Sequence, residues 1–279
     1  MIKFKYLLSL FILLGSLYSQ TKTNNHIKKE IDLSEIFAGN KFHPTNFCVS
    51  PTGIYFLDSA TRQVAFLSND GAVGFAGGYG TDNDAFIDPI EILSSKLKIW
   101  IVDRTENKLI EFDHKLNYIR SVDFDRIYPE FSGIDDWGNV LLLSKQEQMI
   151  LKATPPIENF DDFIDLSMWT DINSCISDVH VAFDGTIGIL ANCNDSVYLF
   201  NRLGKLENVF HLKTNDSKYF IKISNDWLVI NAEGQIKSIR GDKKIDLSLE
   251  QPLLDVAQMD SKLYLLFYNK IWVVDVSME

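Results

Sequence analysis

Six times along the 279-residue chain a short apolar run ends, crosses a polar turn and resumes as a second apolar run. The clearest copies are GIYFLDSATRQVAFLS, beginning at Gly53, and KIWIVDRTENKLIEFD, beginning at Lys98. Their β-branched and aromatic content makes each run a strand, and the polar stretch between them makes each pair a hairpin. Placing Asp58 over Asp103 aligns both strands and the loop at a separation of 45 residues. Weaker copies begin at Asn139, Thr186, Asp226 and Lys262. The position that ends the first strand is then Asp58, Asp103, Ser144, Ala191, Asn231 and Phe267, at intervals of 36 to 47 residues. Propeller blades repeat in this range.

A further apolar segment precedes every hairpin: TNFCVSP, IEILSS, SGIDDW, DVHVAFDG, YFIKIS and LLDVAQM. Another follows the first five, as AVGFAG, YIRSVDF, DFIDLS, LENVFHL and KKIDLS. The unit is therefore four short antiparallel strands. The sixth unit reaches Glu279 without a fourth strand, whereas HIKKEIDLSEI, His26 to Ile36, resembles KKIDLS and has no partner of its own. The amino-terminal strand is expected to complete the last sheet. Six four-stranded sheets arranged radially cover one another's faces and leave only short edges. The chain is thus expected to be all-β, a six-bladed β-propeller closed by its N-terminal strand and forming one domain over residues 20 to 279. An open solenoid would need polar caps at both ends, and an eight-stranded barrel would leave many strands unused.

The connection GFAGGYGTDNDAFIDPIEI, Gly74 to Ile92, resembles the link between NHL-type repeats, in which a glycine-rich turn, a phenylalanine and a proline lead into the next inner strand. The matching residues are Gly77, Gly78, Gly80, Phe86 and Pro89. IWIVDRTENKLIEFD resembles the central strands of such a repeat, with Asp103 and Asn107 in their usual places. The match covers roughly residues 44 to 125, and elsewhere LSKQEQMILK lacks both the strand-ending Asp and the loop Asn. The resemblance implies the fold more than an activity. Six-bladed enzymes of the lactonase kind hold a metal with Glu, Asn and Asp from inner-strand ends.

Asp58 and Asp103 recur from blade to blade, as a turn residue must and a catalytic residue need not. Both are expected to accept backbone amide hydrogens in Asx-type turns. Asp113 reads as a strand exit. Channel-facing candidates from the inner strands are Asn46, Glu91, Asp135, Asp136, Asp178, His180 and Asp255. Oxygen ligands from Glu91 and Asp178 could serve a hard cation, but scattered polar residues around a hydrated channel mouth give the same pattern. Asp82, Asp84 and Asp88 in TDNDAFID lack the central glycine and final glutamate of a calcium loop and read as turn residues. No metal or other cofactor is expected, with calcium or another divalent cation as the alternative. The histidines show no HExxH spacing, no serine lies in a G-x-S-x-G elbow, and GGYG lacks the Lys-Ser/Thr of a phosphate loop. No catalytic residue can be nominated.

The first residues, MIKFKYLLSLFILLGSLYSQ, place Lys3 and Lys5 before an apolar run and end in small or neutral residues. This is the grammar of a signal peptide over residues 1 to 19, cleaved after Ser19. Export to the periplasm, the cell surface or the medium is expected, with no further membrane span. Removing residues 1 to 19 takes away two lysines and no acids, which moves the net charge from −11 to −13. So acidic a chain, without clustered basic residues, is a poor match for nucleic acid. Cys175 and Cys193 flank a hairpin that turns near Asp184 and Gly185, which places them nearly opposite one another. An oxidising compartment favours a disulfide there, with Cys48 left as an apolar filler.

A rigid scaffold without convergent chemistry points to an exported, non-enzymatic propeller that binds a protein, peptide or glycan of the cell envelope or secreted from it. Trp137, Trp169 and Tyr128, in connecting segments, are the candidate anchors. The segment PPIENFDDFIDLSMWTDINSC is the candidate for one side of that surface, with Trp169 alternatively covering the core. The alternative function is a metal-dependent, lactonase-like hydrolase using the central channel.

Overall fold

The computed structural model describes residues 26–80, 82–125, 127–169, 174–212, 216–241 and 244–276; the expected signal peptide lies outside them. The chain opens with β1 (Ile27–Asp32) and the single-turn helix α1 (Leu33–Ile36). Blade 1 follows as β2 (Asn46–Ser50), β3 (Gly53–Asp58), β4 (Gln63–Ser68) and β5 (Val73–Gly77). Blade 2 is β6 (Pro89–Ser95), β7 (Lys98–Asp103), β8 (Lys108–Asp113) and β9 (Tyr118–Asp123). Blade 3 is β10 (Phe131–Ile134), β11 (Val140–Ser144), β12 (Met149–Ala153) and β13 (Asp161–Asp165). Blade 4 is β14 (Ile176–Val181), β15 (Ile187–Ala191), β16 (Ser196–Phe200) and β17 (Leu206–His211). Blade 5 is β18 (Ser217–Ile223), β19 (Asp226–Asn231), β20 (Gln235–Ser238) and β21 (Lys244–Asp246). Blade 6 is β22 (Asp255–Met259), β23 (Lys262–Leu266) and β24 (Lys270–Asp275), with β1 as its outer strand.

All six sheets are antiparallel, and the ring closes as the repeat requires: β1 pairs with β24, setting Ile31 opposite Ile271 and Asp32 opposite Lys270. The Trp272 indole donates to Glu30 Oε2 at 2.6 Å across this seam. Asp32 then caps α1 by accepting from Ser34 N at 2.8 Å, and Leu33, Phe37 and Phe42 drop into the core between blades 6 and 1. The terminal strand serves the ring twice: it carries both an edge to pair and apolar residues for the last interface.

Among the described residues there are six apolar clusters, and each lies between two adjacent blades. The second strand of a blade is covered on both faces, so it reads as an unbroken apolar run rather than an alternating one. GIYFLD, VLLLS and IGILA are buried at every position, whereas the outer β17 is almost wholly accessible. Close approach sets the remaining composition. A Cβ at Gly188 would collide with the Phe220 ring of the next blade, which stacks on Trp227 at 4.7 Å between centroids.

Asp58 and Asp103 do what repetition predicted, and somewhat more. Asp103 is fully buried and accepts from Glu106 N at 3.0 Å in its own turn, and from Ile87 N at 2.6 Å and Asp88 N at 3.2 Å in the incoming connection. Asp58 repeats the pattern with Ala60 N, Thr61 N and His43 N. Each carboxylate thus ties the turn of a blade to the segment that leads into it. Asp113 is more than a strand exit, because it accepts from Lys115 N, Asn117 N and Asn117 Nδ2 and closes its own turn. Cys175 and Cys193 are bonded, with their Cα atoms 5.6 Å apart, and Cys48 is free.

Asp103→Ala would strand several buried amide donors. It is expected to cost about 2 to 4 kcal/mol in chemical denaturation, against about 1 kcal/mol or less for Asp113→Ala, whose turn water can reach. Equal losses in the two variants would contradict the connection-tying role.

Candidate functional site: the ring at the propeller axis

The pairing register identifies one equivalent position on every inner strand. Asn46, Glu91, Phe131, Asp178, Tyr219 and Asp255 lie opposite Leu57, Val102, Leu143, Leu190, Ile230 and Leu266, the residues just before the strand-end positions. At this position Asn46, Asp178, Tyr219 and Asp255 reach toward the next blade around the ring, whereas Glu91 pairs back with Asn46. Asn46 Oδ1 accepts from Ile92 N at 3.0 Å, Asp178 Oδ2 from Phe220 N at 2.6 Å, and Asp255 Oδ2 from Phe47 N at 2.9 Å. The other oxygen of each aspartate accepts from its own following amide, Val179 or Val256, at 2.8 Å. Tyr219 reaches the same way with its hydroxyl, donating to Leu253 O at 2.9 Å and Leu254 O at 2.6 Å. Four of the six positions therefore clasp the neighbouring blade through a polar group. Phe131 is an apolar substitute packed in the core between blades 3 and 4.

A cavity of about 700 Å³ runs along the axis. Its lining begins at the turns joining first and second strands, with residues such as Pro51, Lys96, Phe183 and Asp260, and ends at the ring with Glu91, Asp178, Tyr219 and Asp255. Burial acts strongly on these acids. It pushes Asp178 up to about 7 against the opposing pull of the Phe220 and Val179 amides. Burial also raises Asp255, where the amides of Phe47 and Val256 oppose it and the nearby Asp178 adds to it. Glu91 is held well above the usual carboxylate range by burial and then by Asp255, with a hydrogen bond from Asn46 opposing. His180 lines the same cavity. Burial and then Lys222 lower it to about 4, so its imidazole is uncharged at neutral pH.

Of the sequence candidates, Glu91, Asp178, His180 and Asp255 are brought together along the channel, with Asn46 at the ring behind them. Asp135 is not a channel residue. Its buried carboxylate accepts from Trp137 N, Asn139 N and Asn139 Nδ2 and closes the β10–β11 turn, the same arrangement as Asp113 with Asn117. Asp136 lines the channel in its place. The spacing D-x-x-x-N, shared by Asp113 and Asp135, carried that information. Tyr219 was overlooked as a ring residue, although it lies 12 residues before Asn231 just as Asn46 lies 12 before Asp58. Among the described residues no three His, Cys, Asp or Glu side chains converge as ligands for one ion.

The three candidate anchors do not share a surface. Trp137 follows the inner strand β10, whereas Tyr128 precedes it, which puts the two at opposite ends of the strand. Trp169 also lies before an inner strand, in a 3₁₀ turn, and packs edge-on against Phe200 at 5.8 Å, partly covering the core between blades 3 and 4.

No protein-family model matches the chain, and no curated protein matches it. Solved structures do. A streptogramin B lyase has a TM-score of 0.61 and 16% identity, over 93% of this chain and 90% of that one. Virginiamycin B lyase from Staphylococcus aureus has a TM-score of 0.61 and 11% identity, over 88% and 98%. YCF48 bound to D1 peptide has a TM-score of 0.59 and 8% identity, over 84% and 79%. At such identities the likeness shows the propeller fold alone.

The raised acids give the fold a pH dependence of defined sign. A carboxyl whose folded value lies above its unfolded one contributes stability that is complete below the ordinary aspartate range and lost as pH rises toward about 7. The melting temperature is therefore expected to fall between about pH 4 and about pH 7. The double variant Asp178→Asn, Asp255→Asn keeps an acceptor for Phe220 N and Phe47 N, as Asn46 does for Ile92 N. It should flatten that slope and be the more stable protein at about pH 8, and an unchanged slope would exclude these two groups as its source.

Proposed function

We propose that this is an exported, non-enzymatic propeller of the NHL-repeat-like kind that binds a peptide segment of a cell-envelope or secreted protein. The observation that carries the reading is on the face made by the turns between first and second strands. There the consecutive turns of blades 2, 3 and 4 leave Leu97, Trp137 and Phe183 roughly half exposed, at 58%, 52% and 45%. Asp136 N donates to Phe183 O at 3.2 Å, so the last two turns are fastened to each other, and the Trp137 ring lies over Gly185. Phe183 also rims the axial cavity. A fixed row of one aliphatic and two aromatic side chains suits the alternate side chains of an extended peptide and gives it rigid anchors. Leu97 offers no flat face to a sugar ring.

The roles of the matching residues support the family reading. Gly78 N donates to Arg62 O and Phe86 N to Gly78 O, so the glycine turn is folded back onto blade 1. Asn107 Oδ1 accepts from Ile127 N and Tyr128 N and holds the next connection. Export is supported by the sequence of residues 1 to 19 and by the Cys175–Cys193 bond. No helix among the described residues is long and apolar enough to cross a membrane. The hydrolase alternative has less support, because Asp178 and Asp255 each have both oxygens engaged with backbone amides.

A photoreactive phenylalanine analogue in place of Leu97 is expected to cross-link a discrete protein in cells, and one in place of Val209 on an outer strand is not. Trp137→Ala, folded, should abolish the adduct. Equal adducts at both positions, an adduct indifferent to Trp137→Ala, or a carbohydrate adduct would overturn the proposed surface. Separately, the mature protein recovered from the envelope or medium is expected to begin at Gln20. A chain that keeps residues 1 to 19 and stays in the cytoplasm would refute export.

A further inference from the structure

The axial cavity has chemically unlike ends. Its walls below the turns include Val49, Leu93, Val181 and Ile221, while its far end holds the carboxyls of Glu91, Asp178 and Asp255. Among the described residues, nothing N-terminal to the ring position on any inner strand lines it, so the acids form its floor. A volume of about 700 Å³ is that of a small-molecule pocket.

Unused hydrogen-bonding groups supply a second, independent observation. Ser132, only 8% exposed, lines this cavity, and its Oγ has no hydrogen-bond partner. Two other buried atoms without partners, His180 Nε2 and Gln258 Oε1, line the same cavity. The cationic and phenolic donors of β18 are already engaged. Lys218 Nζ donates to Leu253 O, Lys222 Nζ to Asp184 and Thr186, and the Tyr219 hydroxyl to Leu253 O and Leu254 O. Apart from Lys96 at the turn rim and the Ser132 hydroxyl, which can donate as well as accept, the pocket offers apolar walls along its depth and carboxyl acceptors at its floor.

We propose that the channel binds an organic cation, an ammonium or guanidinium head on an apolar stem, with the head on Glu91, Asp178 and Asp255 and the stem toward the turn face. Such a head supplies the several donors the floor lacks, and its charge offsets the cost of ionising buried carboxyls. The stem takes the apolar walls. The site goes beyond the peptide-docking face and does not depend on it, since it uses the depth of the channel rather than the exposed row at Leu97, Trp137 and Phe183.

Binding has a pH signature. Burial holds all three acids above the usual range, so a cation must displace protons to pair with them. Besides one another, the charged or titratable groups around them are Cys48 on β2, His180 on β14, Lys218 and Tyr219 on β18, and, toward the turn face, Lys96, Asp136 and Asp260. Of these, Lys218 lowers Asp255 only slightly beside the effect of burial. Affinity for a permanently protonated amine is expected to rise from about pH 6 to about pH 8.

The test is calorimetric titration of the mature chain with 2-phenylethylammonium, its neutral isostere 2-phenylethanol and the anion phenylacetate. The ammonium should saturate with a Kd of about 1 mM or tighter, the alcohol at least about tenfold more weakly, and the anion not at all. Glu91→Gln and Asp255→Asn, each checked for folding by circular dichroism, should each weaken the ammonium about tenfold and reduce its pH dependence. Equal affinity for ammonium and alcohol, full affinity in both folded variants, or no saturation by the ammonium at about 10 mM would overturn the site. Loss of the Leu97 cross-link with amine binding intact would remove the docking face and leave the channel site standing, and the reverse pair of results would do the opposite.

Discussion

The structure depends on side-chain acceptors that satisfy backbone amides across a break in hydrogen bonding. A sheet provides for its own ladder, but the connection into a blade and the inner edge facing the axis have amides with no strand to pair with. Leaving such donors buried and unmet is costly. Asp58 and Asp103 meet the need at the end of the second strand in blades 1 and 2, each tying three amides. Asn46, Asp178 and Asp255 meet it at the axis, where the amide belongs to a different blade. The apolar clusters between blades hold the sheets at the right distance, and these polar ties fix their register around the ring.

Where a tie is missing, a different interaction crosses the same interface. Blade 3 has Phe131 at the ring position, and there Lys145 extends from the β11–β12 turn, passes over the Phe131 ring at 5.2 Å and donates to Ile176 O of blade 4 at 2.8 Å. Blade 2 has Glu91, whose carboxyl is committed to Asn46 behind it, and Arg120 reaches forward to Ile157 O of blade 3 at 2.9 Å. Its guanidinium is itself held by the buried Glu111, which also takes Lys98. The degenerate third repeat is thus no weaker in its connections. It has exchanged an aspartate for a cation and an aromatic ring.

This exchange explains what could be read from the sequence. Strand count, blade number and closure by His26 to Ile36 were legible because every blade needs the same four apolar segments in the same order. The roles of Asp58 and Asp103 were legible because they recur. Ring residues were only half legible, since the position is chemically varied: an amide, three carboxyls, a phenol and a phenyl ring occupy it. Asp135 was misassigned because an acid after an inner strand can face the axis or close the turn, and Asn139 four residues later decides for the turn. Trp137 and Tyr128 fall nine residues apart in sequence yet at opposite ends of one short strand, a separation that only the strand direction reveals.

The ring acids are structural groups that retain capacity for a ligand. A carboxyl has about four lone-pair directions. In Asp178 and Asp255 one amide bond per oxygen uses half of them and fixes the plane of the group. The other half is free to face the channel that both residues line. A guest bound there would pull on groups that already hold two blades together, so binding would favour the closed ring rather than compete with it. Closure of the propeller and any contact with the channel thus run through the same two carboxyl groups.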